Sequence, residues 1–420
     1  VFGALAPRLA DEEREVRSAL RALLREAVLP ALPPPALAPF VPLLALHTAG
    51  AMTHMDPGVR RDALSALELL LAAAPGAVCA GAPAAMLRHF RDLLAGGPGG
   101  VRWTPATLGA AVAALQALLA ALGEHLRSRA PGAAASDGDS HEADWEWQPG
   151  ALPAAPLHSR RAWGVTQGEA AASAASEPAE EAAAACAALA PRLLNVWGQL
   201  APGLMEPAGA DADTLACLLG VLRCAALSSA VCRAAAAAAA PSRAAAACLA
   251  AADEAMRGAH GDLLASLARH FPVALTAASA SPEGRTAVGE LNLAVAALLL
   301  LPEHGFAHAA PPAPALHARV AAHVADALHA IAAARAPGGA PDGGAPAGAH
   351  VQLLPLAVGA LHHPATAPAQ RAALLEALGE LWDAAPPRSA QKAAALHVIR
   401  GCVDAAMRPI CFFSWAESRI

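Results

Sequence analysis

Along this chain apolar residues recur three and four positions apart, and no stretch alternates apolar with polar in the manner of a half-buried strand. The first run is Glu15-Val16-Arg17-Ser-Ala-Leu20-Arg-Ala-Leu23-Leu24, preceded by Asp11. A second, Val59-Arg60-Arg61-Asp62-Ala63-Leu64-Ser-Ala-Leu67-Glu-Leu69-Leu70-Leu71, is preceded by Asp56-Pro57. Val59 follows Val16 by 43 residues, within the period of about 40–47 that marks stacked helix pairs of the HEAT and armadillo kind. Asp56 is placed to cap the second helix and Pro57 suits its first turn, where a missing N–H costs nothing. Ala63, Leu67, Leu70 and Leu71 make the inward stripe. Asp11 and Asp56 are further expected to meet arginines of neighbouring repeats.

Pro33-Pro34-Pro35 separates these runs, and residues 37–54 read as the first helix of the second repeat. Further helices are predicted over 79–94 and 105–127. Residues 130–176 lose all periodicity and read as a long loop carrying Trp145 and Trp147 among acids. Helical pattern resumes near Glu180 and runs to Arg335, with breaks near Pro207, Pro241, Pro282 and Pro302. A Gly/Pro stretch then precedes two last helices at 351–362 and 368–385 and a closing segment at 390–407, and the tail from Cys411 differs in character. The fold class predicted is all-α, a HEAT/armadillo-like α-solenoid of stacked helix pairs. Its parts are repeats over 1–127, a low-complexity linker over 128–179, a helical continuation over 180–335, a Gly/Pro linker over 336–349, C-terminal helices over 350–410 and a tail over 411–420.

Composition changes little in this picture. Alanine dominates the 56% of hydrophobic residues, aromatics are only 3%, and Lys392 is the one lysine, a bias of coding more than of function. Net charge is −6, so no global basic field favours nucleic acid. The apolar run at 291–301 is too short for a bilayer, and no membrane role is expected. The eight cysteines have no CxxC spacing and read as free thiols of a reducing compartment, with Cys217, Cys224 and Cys232 near one helical face. The chain opens at Val1 in the middle of a helical pattern, as a sequence extending further upstream would.

Candidate chemistry is sparse. No phosphate-binding loop, nucleophile elbow, zinc-protease helix or dinucleotide fingerprint is present, and no catalytic or cofactor-binding residue is assigned. His304 and His308 lie four apart beside Glu303, but Pro302, Gly305 and Pro311 interrupt any helix, while His317, His323 and His329 recur every six residues and share no face, so no metal site is assigned. Met52, Thr53, His54, Arg60, Arg61, Trp145 and Trp147 are the candidates for partner contact. Met52-Thr53-His54 reads more readily as a structural turn with Met52 and Met55 in the core. The arginines read more readily as an intramolecular Asp–Arg ladder with a solvated face.

The string Pro39-Phe40-Val-Pro42-Leu-Leu-Ala-Leu-His47-Thr-Ala-Gly-Ala51-Met52-Thr53-His54-Met55, followed by Asp62-Ala-Leu64-Ser-Ala-Leu67-Glu68-Leu69-Leu70-Leu71 through Pro75, resembles the testis-expressed protein 10 family. The resemblance covers roughly the first 120 residues. It implies a non-catalytic scaffold without cofactors, in a nuclear and nucleolar complex that matures the pre-60S ribosomal particle. The partners it implies are a WD-repeat protein, a proline-, glutamate- and leucine-rich protein and the AAA ATPase midasin. It also implies a part in removing the second internal transcribed spacer from pre-rRNA. The rival reading is a generic HEAT-repeat adaptor for transport or cytoskeleton.

Overall fold

The computed structural model of the chain describes residues 2–81, 83–95, 105–130, 167–205, 209–239, 242–274, 276, 281–300, 314–335, 349–363 and 366–384. Every regular element among them is helical. The class is the one expected, all-α with helices stacked on one another. The chain divides into two compact units, one of residues 1–192 and 227–256, the other of residues 193–226 and 257–420.

In the first unit, α1 is Arg14–Leu23, α2 Val41–Met52, α3 Pro57–Ala73, α4 Pro75–Ala80, α5 Pro83–Leu94 and α6 Pro105–Arg129. α1 runs on through a wider π turn, Leu24–Val28, before Pro33 ends it. α3 packs on α1, α2 and α6, and its stripe of Ala63, Leu67, Leu70 and Leu71 is buried as its spacing requires. Burying one such leucine stabilises by about 1.5–3 kcal/mol.

Two boundaries differ from those read in the sequence. The helix expected over 37–54 is a short turn, Pro34–Leu37, then α2 from Val41, because Pro39 lacks the N–H that would carry the helix across. The helix expected over 79–94 is broken between α4 and α5, where Gly81 leaves the helical conformation and Pro83 restarts it. The long helix α7, Gln167–Leu200, begins inside the stretch read as a loop. Its residues Ala179, Ala182, Ala183, Cys186 and Leu189 are buried in the first unit, as are Val231 and Ala235 of α8, Ala212–Ala238. Val231 of α8 approaches Gly123 of α6, where a Cβ would meet it at 3.7 Å.

α9, Arg243–His270, has its first part in the first unit and its last part in the second, and the second unit continues with α10 Pro282–Leu300, α11 Pro314–Arg335, α12 Ala349–His362 and α13 Pro368–Ala384. Breaks near Pro207, Pro241 and Pro282 fall where they were expected. Trp197, fully buried, donates its indole N–H to Ser266 at 3.0 Å. Arg319 of α11 satisfies carbonyls at the end of α9, donating to Phe271 O at 2.9 Å and to Ala268 O. The Asn292 amide takes the N–H of Val273 at 2.8 Å and donates to its carbonyl at 3.0 Å. α12 comes so close to the end of α10 that a Cβ at Gly359 would lie 2.6 Å from Leu300 O, which only glycine tolerates.

The histidines spaced by six go to three different places. His317 stacks on His363 with ring centroids 3.9 Å apart, His323 meets the edge of Phe271, and His329 pairs with Glu380 at 2.6 Å. His304 and His308 lie outside the described residues, as do the tail from Cys411 and the segment 390–407. Two helices, Leu108–Arg129 and Ala212–Ala238, are by length and composition long and apolar enough to cross a bilayer. Half or more of each is buried inside the protein, where Leu115, Leu118 and Leu119 of the first and Leu218, Val221 and Leu222 of the second are core. Alanine-rich helices that pack on all sides reach such hydropathy without a membrane.

Candidate interaction site in the N-terminal repeats

The turn between α2 and α3 is built from its own sequence. Thr53 ends α2, with its N–H and its hydroxyl both donating to Gly50 O, at 3.2 and 2.8 Å. The His54 N–H then donates to Ala51 O at 3.2 Å. His54 Nδ1 accepts the Asp56 N–H at 3.1 Å, which leaves Nε2 as the protonated nitrogen of the neutral ring. Asp56 caps α3 by accepting the Gly58 N–H at 2.7 Å, and Pro57 opens the helix, both as the sequence predicted.

Arg60 holds this turn from beneath. It is only 5% exposed, and its Nη1 donates to the carbonyls of His54 at 2.8 Å and Met55 at 3.0 Å. One repeat earlier the same device recurs. Arg17, 4% exposed, donates Nη1 to the carbonyls of Asp11 at 2.8 Å and Glu12 at 2.9 Å. Arg17, Asp11 and Glu12 each precede Arg60, His54 and Met55 by 43 residues. The sequence period is therefore a structural period, carried by a buried guanidinium that satisfies two turn carbonyls.

The ladder exists, but its acid is not the one expected. Asp62 of α3 accepts from Arg17 Nε at 2.7 Å and pairs with Arg21 at 2.8 Å, joining the two repeats. Asp56 is spent on its cap, and Asp11 pairs locally with Arg8 at 2.8 Å. That bond, with the Glu13 N–H, holds the Asp11 carboxyl below the usual carboxylate range.

The candidate residues thus separate by exposure. Met52 is 2% exposed and Arg60 is pinned, so both are committed to the turn and reach no partner directly. Thr53 and Arg61 are exposed and His54 is half-buried. Met55, assigned to the core from sequence, is instead 73% exposed, and Leu46 on α2 is 68% exposed. Met55 is the last residue before the cap, beyond the reach of either helix's stripe, and that position was the overlooked signal. Trp145 and Trp147 lie outside the described residues. Among the described residues no group of three or more His, Cys, Asp or Glu could hold a metal ion.

A pair of stacked helix repeats is thus clamped at its turns and leaves exposed side chains on the turn and on α2. Comparison with known proteins gives a family match to part of the chain. Residues 35–129 match the family model Ipi1_N, described as a Rix1 complex component involved in 60S ribosome maturation. The chain is also similar to a testis-expressed protein 10 homolog of Danio rerio, 38% identical over 76 residues, which are 18% of this chain. The family match falls in the part of the chain that carries the resemblance seen in the sequence, and both matches support it. The match spans 8% of the zebrafish protein's length.

Proposed function

We propose that this chain is a non-catalytic scaffold subunit of a nuclear and nucleolar complex that matures the 60S ribosomal subunit. The observation that carries this reading is the family match over 35–129, a segment that contains the turn clamped by Arg60. In this reading the turn presenting Thr53, His54, Met55 and Arg61 docks a protein subunit by surface complementarity, and Trp145 and Trp147 supply a second contact. The partners are a WD-repeat protein, a proline-, glutamate- and leucine-rich protein and midasin, on the pre-60S particle. Removal of the second internal transcribed spacer depends on the assembly.

Purification of the tagged protein from its own cells, with mass spectrometry of co-eluting chains, tests the partners. Recovery of those three together is expected. Recovery of import receptors or tubulin in their place would instead support a generic adaptor. Depletion of the protein tests the role: precursor rRNA containing the second spacer accumulates and 60S subunits fall, and unchanged processing rejects it.

A further inference from the structure

Two sulfurs meet inside the first unit. Cys186 on α7 is buried, Cys232 on α8 is half-buried, and both are free thiols. The Cys232 sulfur is a neighbour of the Cys186 thiol and helps to keep it protonated. The Cys232 thiol in turn reaches the carbonyl of Ala183 at 3.7 Å, one turn before Cys186 on the same helix. The buried Ser228 hydroxyl lies against Cys186 without completing a regular hydrogen bond. The Cys232 side chain therefore sits over the turn of α7 that carries Cys186. From that position a bond of about 2.0 Å requires side-chain torsion and a small approach of the two helices.

The other described cysteines have different surroundings. Burial pushes the Cys79 thiol up to about 12 and the Cys217 thiol up to about 11, and raises that of Cys224 as well. Cys217 and Cys224 share α8 seven residues apart, about two turns, too far for a bond. Cys248 is half-buried, with its thiol 4.0 Å from Glu180 O.

We propose that Cys186 and Cys232 form a peroxide-responsive thiol pair that closes to a disulfide and staples α7 to α8. The oxidant is hydrogen peroxide. Cys232, the reachable member, attacks one peroxide oxygen; the S–O bond forms, the O–O bond breaks, and the thiol proton leaves with the departing hydroxide as water. Cys186 then attacks Cys232 Sγ; the S–S bond forms, the S–O bond breaks, and the Cys186 proton leaves with that hydroxyl as a second water. Two thiols are oxidised and one peroxide is reduced. Burial and the neighbouring sulfur hold the Cys186 thiol protonated until Cys232 has reacted, which sets the order of the steps.

The test treats the folded full chain with hydrogen peroxide, blocks free thiols under denaturing conditions and digests it without reductant. Mass spectrometry is expected to find a linked peptide pair joining Cys186 to Cys232, lost on adding dithiothreitol. Trypsin leaves Cys224 and Cys232 in one peptide, so fragment ions and the Cys232→Ser variant assign the bond. That variant loses the link, whereas Cys248→Ser keeps it. Oxidation is also expected to raise Tm by roughly 5 °C in the wild type and not in Cys232→Ser. Cys232 found as sulfinic acid with Cys186 still alkylated, or Cys232 bonded to another cysteine, overturns the proposal.

Discussion

The turn before α1 and the turn before α3 use the same guanidinium clamp, yet they are finished differently. At the first, Arg17 keeps a nitrogen for Asp62 of the next repeat, and the turn residues are the acids Asp11, paired with Arg8, and the exposed Glu12 and Glu13. At the second, Arg60 Nε is buried with no hydrogen-bond partner, and the turn offers Thr53, His54 and an exposed Met55. The clamp common to both is architecture. It supplies donors to carbonyls that would otherwise be buried or frayed. What differs is surface: acids at one turn, a methionine and a half-buried imidazole at the other. An exposed apolar residue on a rigidly held turn suits an interface, whereas a row of hydrated acids resists desolvation. The structural load falls on Arg17 and Asp62, and under the proposed function recognition falls on the turn above Arg60.

The largest effect is expected at Asp62. Replacing it with alanine leaves two arginines, one of them almost fully buried, without their carboxylate, and such a loss costs about 3–5 kcal/mol. Chemical denaturation is expected to show the first transition moving to lower urea by that amount, and a change below about 1 kcal/mol would mean the ladder carries little load. A smaller effect of opposite logic is expected at His317. This ring is buried on His363 with both nitrogens lacking a hydrogen-bond partner, and burial, then the neighbouring His363, pulls its pKa from 6.5 to about 4. The unfolded chain takes up the proton first, so the contribution is complete above about pH 6.5 and is lost as pH falls toward 4. The loss is about 2–3 kcal/mol, read as a falling Tm between those pH values, and His317→Phe is expected to flatten it.

These two buried groups also show what a sequence reveals. The 43-residue period, the Asp56 cap, Pro57 and the stripe on α3 were legible because each depends on residues within one or two turns. The choice of Asp62 over Asp11 or Asp56 was not legible. It depends on which face of α3 lies opposite α1, a tertiary fact that helical spacing leaves open. Likewise no local signal marks His317 as buried and His329 as paired, since both sit at polar-looking positions of an alanine-rich helix. In α8 nearly every position is apolar, so periodicity could not say that Cys232 turns toward α7. The break at Gly81 and Pro83 was there to be read, and the mean apolar pattern concealed it. For the candidate site, the turn was legible as a unit, but exposure divided its residues. Met52 and Arg60 hold it together, and Met55 is displayed.

The Arg60 clamp is the next test of the comparison. Arg60→Met keeps the buried stem while removing the donors to His54 O and Met55 O and the unpartnered Nε. Charge-assisted bonds of this kind contribute about 1.5–3 kcal/mol each, offset here by relief of the desolvated nitrogen, so a net cost of about 1–2 kcal/mol is expected. That is less than the loss at Asp62. Equal losses at the two sites would erase the distinction between a loaded turn and a displayed one.

The smallest expected effect on stability, and the sharpest on the comparison, is at Met55. Its side chain is 73% exposed, so Met55→Ala is expected to change unfolding free energy by no more than about 0.5 kcal/mol. If the turn is a docking surface, truncating an exposed apolar anchor weakens capture of the co-purifying subunits by about tenfold, equivalent to about 1.4 kcal/mol. The matching change at the first turn, Glu12→Ala, is expected to alter neither quantity, because Glu12 contributes its carbonyl and not its side chain to the clamp. Measured side by side, the two alanine variants separate the turns by function while leaving both folded. If Met55→Ala retains full capture, the exposed methionine is incidental and recognition lies on another face of these repeats.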